Sequence, residues 1–277
     1  MNMWIFNSVV GKLFDILFLP FRNMSPWVGM ILISLLTSFL MLLIFRHTSN
    51  QAGIIKAKSL IKAHLLELRL FPDDMRIQFR AQGRILLTNL KYIGHNSKPM
   101  LVMIVPILLI LIQLNLWFGV RSLEPGESAI LKVKLGGDRF ASEVAVDVEP
   151  PRQLEIETPP LRIEDEAEID WRVKAKEVGL GQLTLAVGDR TIVKDVIVGA
   201  KPLSKISTIR VGRNILDQAF NPGERPLPSG SLAKSVELKY PAARMNLFGL
   251  PIHWLVIYFV LSIIFGLAFK GVFKVEI

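Results

Sequence analysis

Residues 27–45 read WVGMILISLLTSFLMLLIF, an uncharged apolar run that stops on Arg46. About 20 helical residues at 1.5 Å each cross a ~30 Å hydrocarbon core, so this run has the length and composition of a transmembrane helix. Two further runs share its character. Residues 99–120, PMLVMIVPILLILIQLNLWFGV, lie between Lys98 and Arg121, and residues 250–269, LPIHWLVIYFVLSIIFGLAF, are closed by Lys270. Trp27, Trp117, Trp254 and Tyr258 fall at or near the ends of these runs, where amphipathic rings settle at headgroup level. Three such helices need a lipid environment, because 277 residues that are 51% hydrophobic supply no soluble core large enough to hide them.

The charge around the runs sets a topology. Residues 46–100 carry ten Lys and Arg against three acids, whereas residues 121–249 balance nineteen bases against nineteen acids. By the positive-inside rule the loop 46–98 is cytoplasmic, the N-terminus and the segment from 121 lie outside, and the tail 270–277 returns to the cytoplasm. The net charge of +9 is therefore a feature of membrane topology first.

Residues 1–24 precede the first span. Phe6, Val9, Val10, Leu13, Phe14 and Leu17 share one helical face, and Ser8, Lys12 and Asp15 the other. This pattern predicts an amphipathic helix in the outer interface that ends near Pro20. A signal peptide is disfavoured, since no basic region precedes the apolar stretch and no small-residue cleavage site follows it.

Within the loop 46–98, Ile54, Leu60, Ile61, Leu65, Leu68 and Phe71 recur at helical spacing, and Pro72-Asp73-Asp74 interrupts them. Met75, Phe79, Leu86 and Leu90 mark a second helix ending around Gly94, with Arg76, Arg80 and Arg84 at i, i+4, i+8. The expectation is an antiparallel helical hairpin. Its arginines are contact candidates for anionic lipid headgroups or for phosphate such as ribosomal RNA. Without aromatic interleaving or a base-reading motif, specific nucleic-acid readout is not expected.

Residues 121–212 change character. SAILKVKL, SEVAVDVEP, AEIDWRVKA, GQLTLAVG and TIVKDVIVG alternate in polarity and are separated by Gly, Pro and Asp turns. These features predict an all-β, immunoglobulin-like antiparallel sandwich around Trp171, with a hairpin turn at Gly188-Asp189. The acids at 164–170 are expected to be solvated. Residues 213–248, with NPGERPLPSG, read as an irregular tether to the third span. The fold class is thus an α-helical membrane protein with an inserted β-domain.

Catalytic chemistry finds no foothold. There is no cysteine, and the four histidines (His47, His64, His95 and His253) are scattered. Neither zinc-ligand spacing, nor a P-loop, nor a nucleophile elbow is present. The expectation is a protein that is not an enzyme and uses no cofactor. The informative polar residues are those inside the spans, where each side chain needs a partner. Ser34, Thr37 and Ser38 in the first span and Gln113 in the second are groove candidates. Asn115, His253 and Ser262 complete the set, and helix–helix hydrogen bonding is the alternative role for all of them.

The order of elements, together with NMSPWVGMILISLLTSFLMLLIF, FRHTSNQAGIIKAKSLIKAHLLELR, the acidic turn FPDD and KPMLVMIVPILLILIQL, resembles the YidC-type (Oxa superfamily) membrane protein insertases over residues 1–120. The resemblance implies a bacterial cytoplasmic membrane protein without a cofactor. Its hairpin would guide nascent membrane proteins, with the ribosome as a further partner. A polar groove would let hydrophilic flanks cross part of the bilayer. The chain departs from the family's bacterial pattern in having three core spans in place of five, no arginine within the first span, and a β-domain before the third. These departures keep a second expectation open: a scaffold or accessory subunit whose β-domain binds a membrane-protein partner.

Overall fold

The computed structural model describes residues 3–137, 141–199 and 201–276. Six helices run through it: α1 (Met3–Phe18), α2 (Pro26–Thr48), α3 (Gln51–Leu70), α4 (Met75–Phe118), α5 (Ile215–Phe220) and α6 (Trp254–Phe269). A 3-10 turn, Leu19–Phe21, extends α1. Three helical stretches are long and apolar enough to cross a membrane: Met3–Phe21, Pro26–Thr48 and Met75–Phe118. The chain is a membrane-embedded helical protein with a separate antiparallel β-domain.

The set of long apolar helices differs from the three expected spans, since it includes Met3–Phe21 and leaves out the run that ends at Phe269, and element boundaries differ as well. The second helix of the hairpin does not end near Gly94; α4 runs unbroken for 44 residues and contains both Pro99 and Pro106. The third apolar run does not begin at Leu250, because Leu250–Ile252 pairs as a strand and α6 spans only 16 residues. Pro251 lacks the N–H an interior helical position needs, which favours the extended start.

The chain divides into two compact units. One comprises Met1–Gly29 and Ile110–Trp254, the other Met30–Leu109 and Leu255–Ile277.

The first unit holds the strands β1 (Ser128–Leu135), β2 (Val146–Glu149), β3 (Leu154–Ile156), β4 (Leu161–Ile163), β5 (Glu168–Ala175), β6 (Gly179–Val187), β7 (Arg190–Val198), β8 (Ile209–Val211), β9 (Ala233–Leu238), β10 (Met245–Leu247) and β11 (Leu250–Ile252). One sheet has the order β3-β5-β1-β9-β8, with β4 also on β5; a second is β2-β6-β7; β10 and β11 form a hairpin. Alternation sends Leu131, Val133, Ile169 and Trp171 from the large sheet and Leu183, Leu185, Ile192 and Val196 from the small one into a single apolar core. β6 and β7 are joined through Gly188-Asp189, with Gly188 at φ +58, a left-handed position that glycine tolerates best.

The tether expected over 213–248 holds regular elements, since α5, β9 and β10 all fall within it. β9 lies between β1 and β8 in the large sheet, with Ala233, Val236 and Leu238 buried. The acids at 164–170 are not uniformly solvated either. Glu168 is buried beside Lys132 at 3.0 Å and Lys134 at 3.3 Å. Burial is the largest influence on its carboxyl and opposes ionisation, yet the two lysines together hold it below the ordinary range. Asp170 is pushed up by burial.

In the second unit α3 and α4 lie antiparallel: Gly53 of α3 faces His95 of α4, whose ring a Cβ would meet at 2.9 Å, and Glu67 faces Arg84 at 3.9 Å. The turn is fixed by Asp74 Oδ1, which accepts from the N–H groups of Arg76 and Ile77, and by Gln78 Nε2, which donates to the carbonyls of Leu68 and Phe71. Asp74 thereby caps α4.

Candidate functional site

Hydroxyls gather inside the second unit. Ser34, Thr37 and Ser38 lie on one face of α2 at i, i+3 and i+4, and all three are buried. Ser38 Oγ stands 2.8 Å from the Ser34 carbonyl and 2.7 Å from the Ser262 carbonyl on α6, so one proton is shared between two acceptors. The Tyr258 hydroxyl, also buried, faces Thr37 and Ser262. Even so, the side-chain oxygens of Ser34, Thr37, Tyr258 and Ser262 complete no hydrogen bond of good geometry among the described residues. Leaving a buried hydroxyl unsatisfied costs ~1–3 kcal/mol, so this cluster holds polar capacity that helix packing alone does not use.

Tyr258 is the residue that sequence reasoning placed elsewhere. In an apolar run it reads as an interface anchor, but one helical turn after Trp254 its hydroxyl turns inward to Thr37 and Ser262. The available signal was its i, i+4 spacing to Ser262. Gln113 is buried as expected, but it belongs to the first unit. There its Oε1 lies beside Gly11 of α1 and, among the described residues, has no hydrogen-bond partner. The four groove candidates are therefore divided, three in one unit and one in the other.

On the hairpin, Arg76, Arg80 and Arg84 are all exposed, and Arg84 Nη1 is 3.9 Å from Glu67. The apolar residues that mark the second helix of the hairpin are uncovered. Met75, Phe79, Leu86 and Leu90 are 66%, 67%, 65% and 59% exposed. Together they form an uncovered apolar stripe adjoining an arginine stripe.

The β-domain carries a cleft of about 890 Å³. Residues 179–182 and 195–199 line one part of it and residues 203–207 another, with Arg22, Glu224 and Tyr240 among the rest. Side chains occupy the free edge of β7: Asp195 N–H donates to Glu224, Ile197 N–H donates to the Tyr240 hydroxyl at 3.0 Å, and Arg210 Nη1 donates to the Val193 carbonyl. Behind the cleft, Lys194 is fully buried against Glu224 and also donates to the Ser207 carbonyl at 2.7 Å. Burial pushes the Lys194 ammonium below its ordinary range, with the Glu224 charge opposing. Burial pushes the Tyr240 hydroxyl up. Among the described residues no three His, Asp or Glu side chains group as metal ligands.

Comparison with protein-family models, with curated proteins and with solved structures yields no match to this chain.

Proposed function

We propose that this chain is a YidC-like membrane protein insertase or membrane chaperone of the bacterial cytoplasmic membrane, working without a cofactor. The hairpin receives an emerging apolar segment in the cytoplasm and passes it to spans whose buried hydroxyls ease the passage of polar flanks. The observation that carries this reading is the uncovered stripe of Met75, Phe79, Leu86 and Leu90. A hairpin serving only as a solvated loop gains nothing by exposing it, whereas a segment entering the membrane must be shielded from water before it reaches lipid. The arginines beside the stripe suit anionic headgroups or ribosomal RNA. The hydroxyl cluster of α2 and α6 supports the second step, because partial hydrogen bonding lowers the cost of taking a polar group into the bilayer.

On this reading the N-terminus and the β-domain are extracytoplasmic, the hairpin and tail are cytoplasmic, and the two-sheet core is an immunoglobulin-like sandwich. Depletion in vivo, followed by pulse-labelling of small membrane proteins, tests the function. Insertion should slow within one depletion cycle, and unchanged insertion would refute the proposal. The cleft beside β7 favours a second reading, a non-catalytic scaffold whose β-domain binds a membrane-protein partner. Stoichiometric co-purification of one such partner without ribosomes would support that alternative.

A further inference from the structure

In the first unit, α1 and α5 pack against each other with their amphipathicity turned inside out. The side of α1 that meets the domain carries Asn7, Gly11 and Asp15 along with Phe14 and Phe18. Asn7 Nδ2 donates to the Gln218 carbonyl on α5 at 2.7 Å, and Lys205 Nζ lies 3.1 Å from Asp15 Oδ1. The opposite side carries Ile5, Val9, Leu13 and Ile16, which are between 59% and 73% exposed. α5 repeats the inversion in a shorter space. Gln218 is buried and donates through Nε2 to the Arg213 carbonyl at 2.8 Å, while Ile215, Leu216 and Phe220 are 65%, 66% and 62% exposed. A helix pair seated on a water-facing domain would show the reverse arrangement.

We propose that α1 and α5 together form a platform lying in the plane of the lipid interface, on which the β-domain rests against the bilayer. Three observations select lipid as the partner. The platform is continuous with apolar helices: Phe18 packs on Trp117 and Phe118 at the end of α4, with ring centroids 4.8 and 5.7 Å away. Arg22 lies over the Trp117 ring at 5.4 Å, the arrangement of an interfacial anchor. Lys12 and Arg213 stand exposed beside the two apolar faces, placed for anionic headgroups.

The two polar ties of α1, at Asn7 and Asp15, are about 12 Å apart along its axis. They hold the helix along the domain, although its length and composition would let it cross a membrane. The inference rests on the interfacial reading of α1 and adds α5, which gives the domain a second lipid contact and so a fixed tilt.

The chain has no cysteine, so single cysteines at Val9, Leu13, Leu216 and Phe220 of the full-length protein can each carry a nitroxide in liposomes of phosphatidylcholine and phosphatidylglycerol. Oxygen and nickel-chelate collision rates then report depth. All four labels should sit at one shallow level, ~5–10 Å below the phosphates, while a label at Arg213 stays nickel-accessible. Water-like nickel accessibility at Leu216 and Phe220, with α1 still shallow, would overturn the platform and leave the interfacial α1 standing. A depth that is greater at Leu13 than at Val9 by a full helical turn would overturn both.

Discussion

Lys205 Nζ reaches both carboxylate oxygens of Asp15, at 3.1 and 3.2 Å, and so joins the first helix to a β-domain segment 190 residues further on. The pair is partly exposed, and such pairs contribute ~0–1 kcal/mol, screened by salt. Asp15→Asn should therefore lower the melting temperature by no more than about 2–4 °C. The difference from wild type should shrink in 0.5 M salt. A larger, salt-independent loss would mean that Asp15 has a different structural role.

Arg121, just past the second apolar run, forms a bidentate pair with Glu127, at 2.8 and 2.6 Å. That hydrogen bonding, aided by the Glu124 N–H, lowers the Glu127 carboxyl from 4.5 to about 2. A carboxyl depressed on folding stabilises the fold above its unfolded value and loses that contribution as pH falls toward the folded one. The acid limb of stability between pH 4.5 and about 2 should be shallower in Glu127→Gln than in wild type. Because the pair is partly open to solvent, the effect should be modest. Thermal unfolding at stepwise pH checks it, and superimposable acid limbs would refute it.

Lys194 and Glu224 pose the opposite case, an ion pair withdrawn from water. Glu224→Gln leaves a buried ammonium without its counter-charge, a change that costs ~3–5 kcal/mol. Lys194→Met alone strands the carboxylate in the same way. The double variant should lose clearly less than the sum of the two, because neither charge remains to be compensated. Denaturant unfolding of the three variants gives the coupling, and strict additivity would show that the pair does not act as one unit.

The hydroxyl cluster separates structure from function. Ser34→Ala and Thr37→Val remove oxygens that complete no hydrogen bond of good geometry, so stability should be unchanged or rise by up to ~1 kcal/mol. Insertion of substrates with polar flanks should nevertheless fall, while substrates with short apolar flanks are spared. Loss of stability without loss of insertion would make these residues helix-packing groups.

How much of this was legible in the sequence depended on how local the signal was. The apolar runs and the alternating strands announce themselves within ten to twenty residues, and Trp171, Leu183 and Ile192 fell where alternation put them. β9 was hidden because its six residues follow a Pro- and Gly-rich stretch and gain meaning only through β1 and β8, distant in sequence. α5 was missed because six residues show no periodicity, and its apolar side faces outward. Tyr258 was misplaced because an aromatic hydroxyl in an apolar run looks the same whether it meets headgroups or a threonine on another helix. Most consequential was the hairpin. Its pattern foretold two helices, but periodicity puts Met75, Phe79, Leu86 and Leu90 on one face without saying that this face stays uncovered.

Site-specific photo-crosslinking from the hairpin and the spans to a stalled nascent membrane protein tests the central claim most directly. A photoreactive residue at Phe79 or Leu86 should capture the substrate's apolar segment early in its emergence, and one at Ser38 should capture its polar flank later. The same probe at the buried Ala81 should capture neither. Crosslinks from none of these positions, in membranes where insertion of that substrate proceeds normally, would contradict the account.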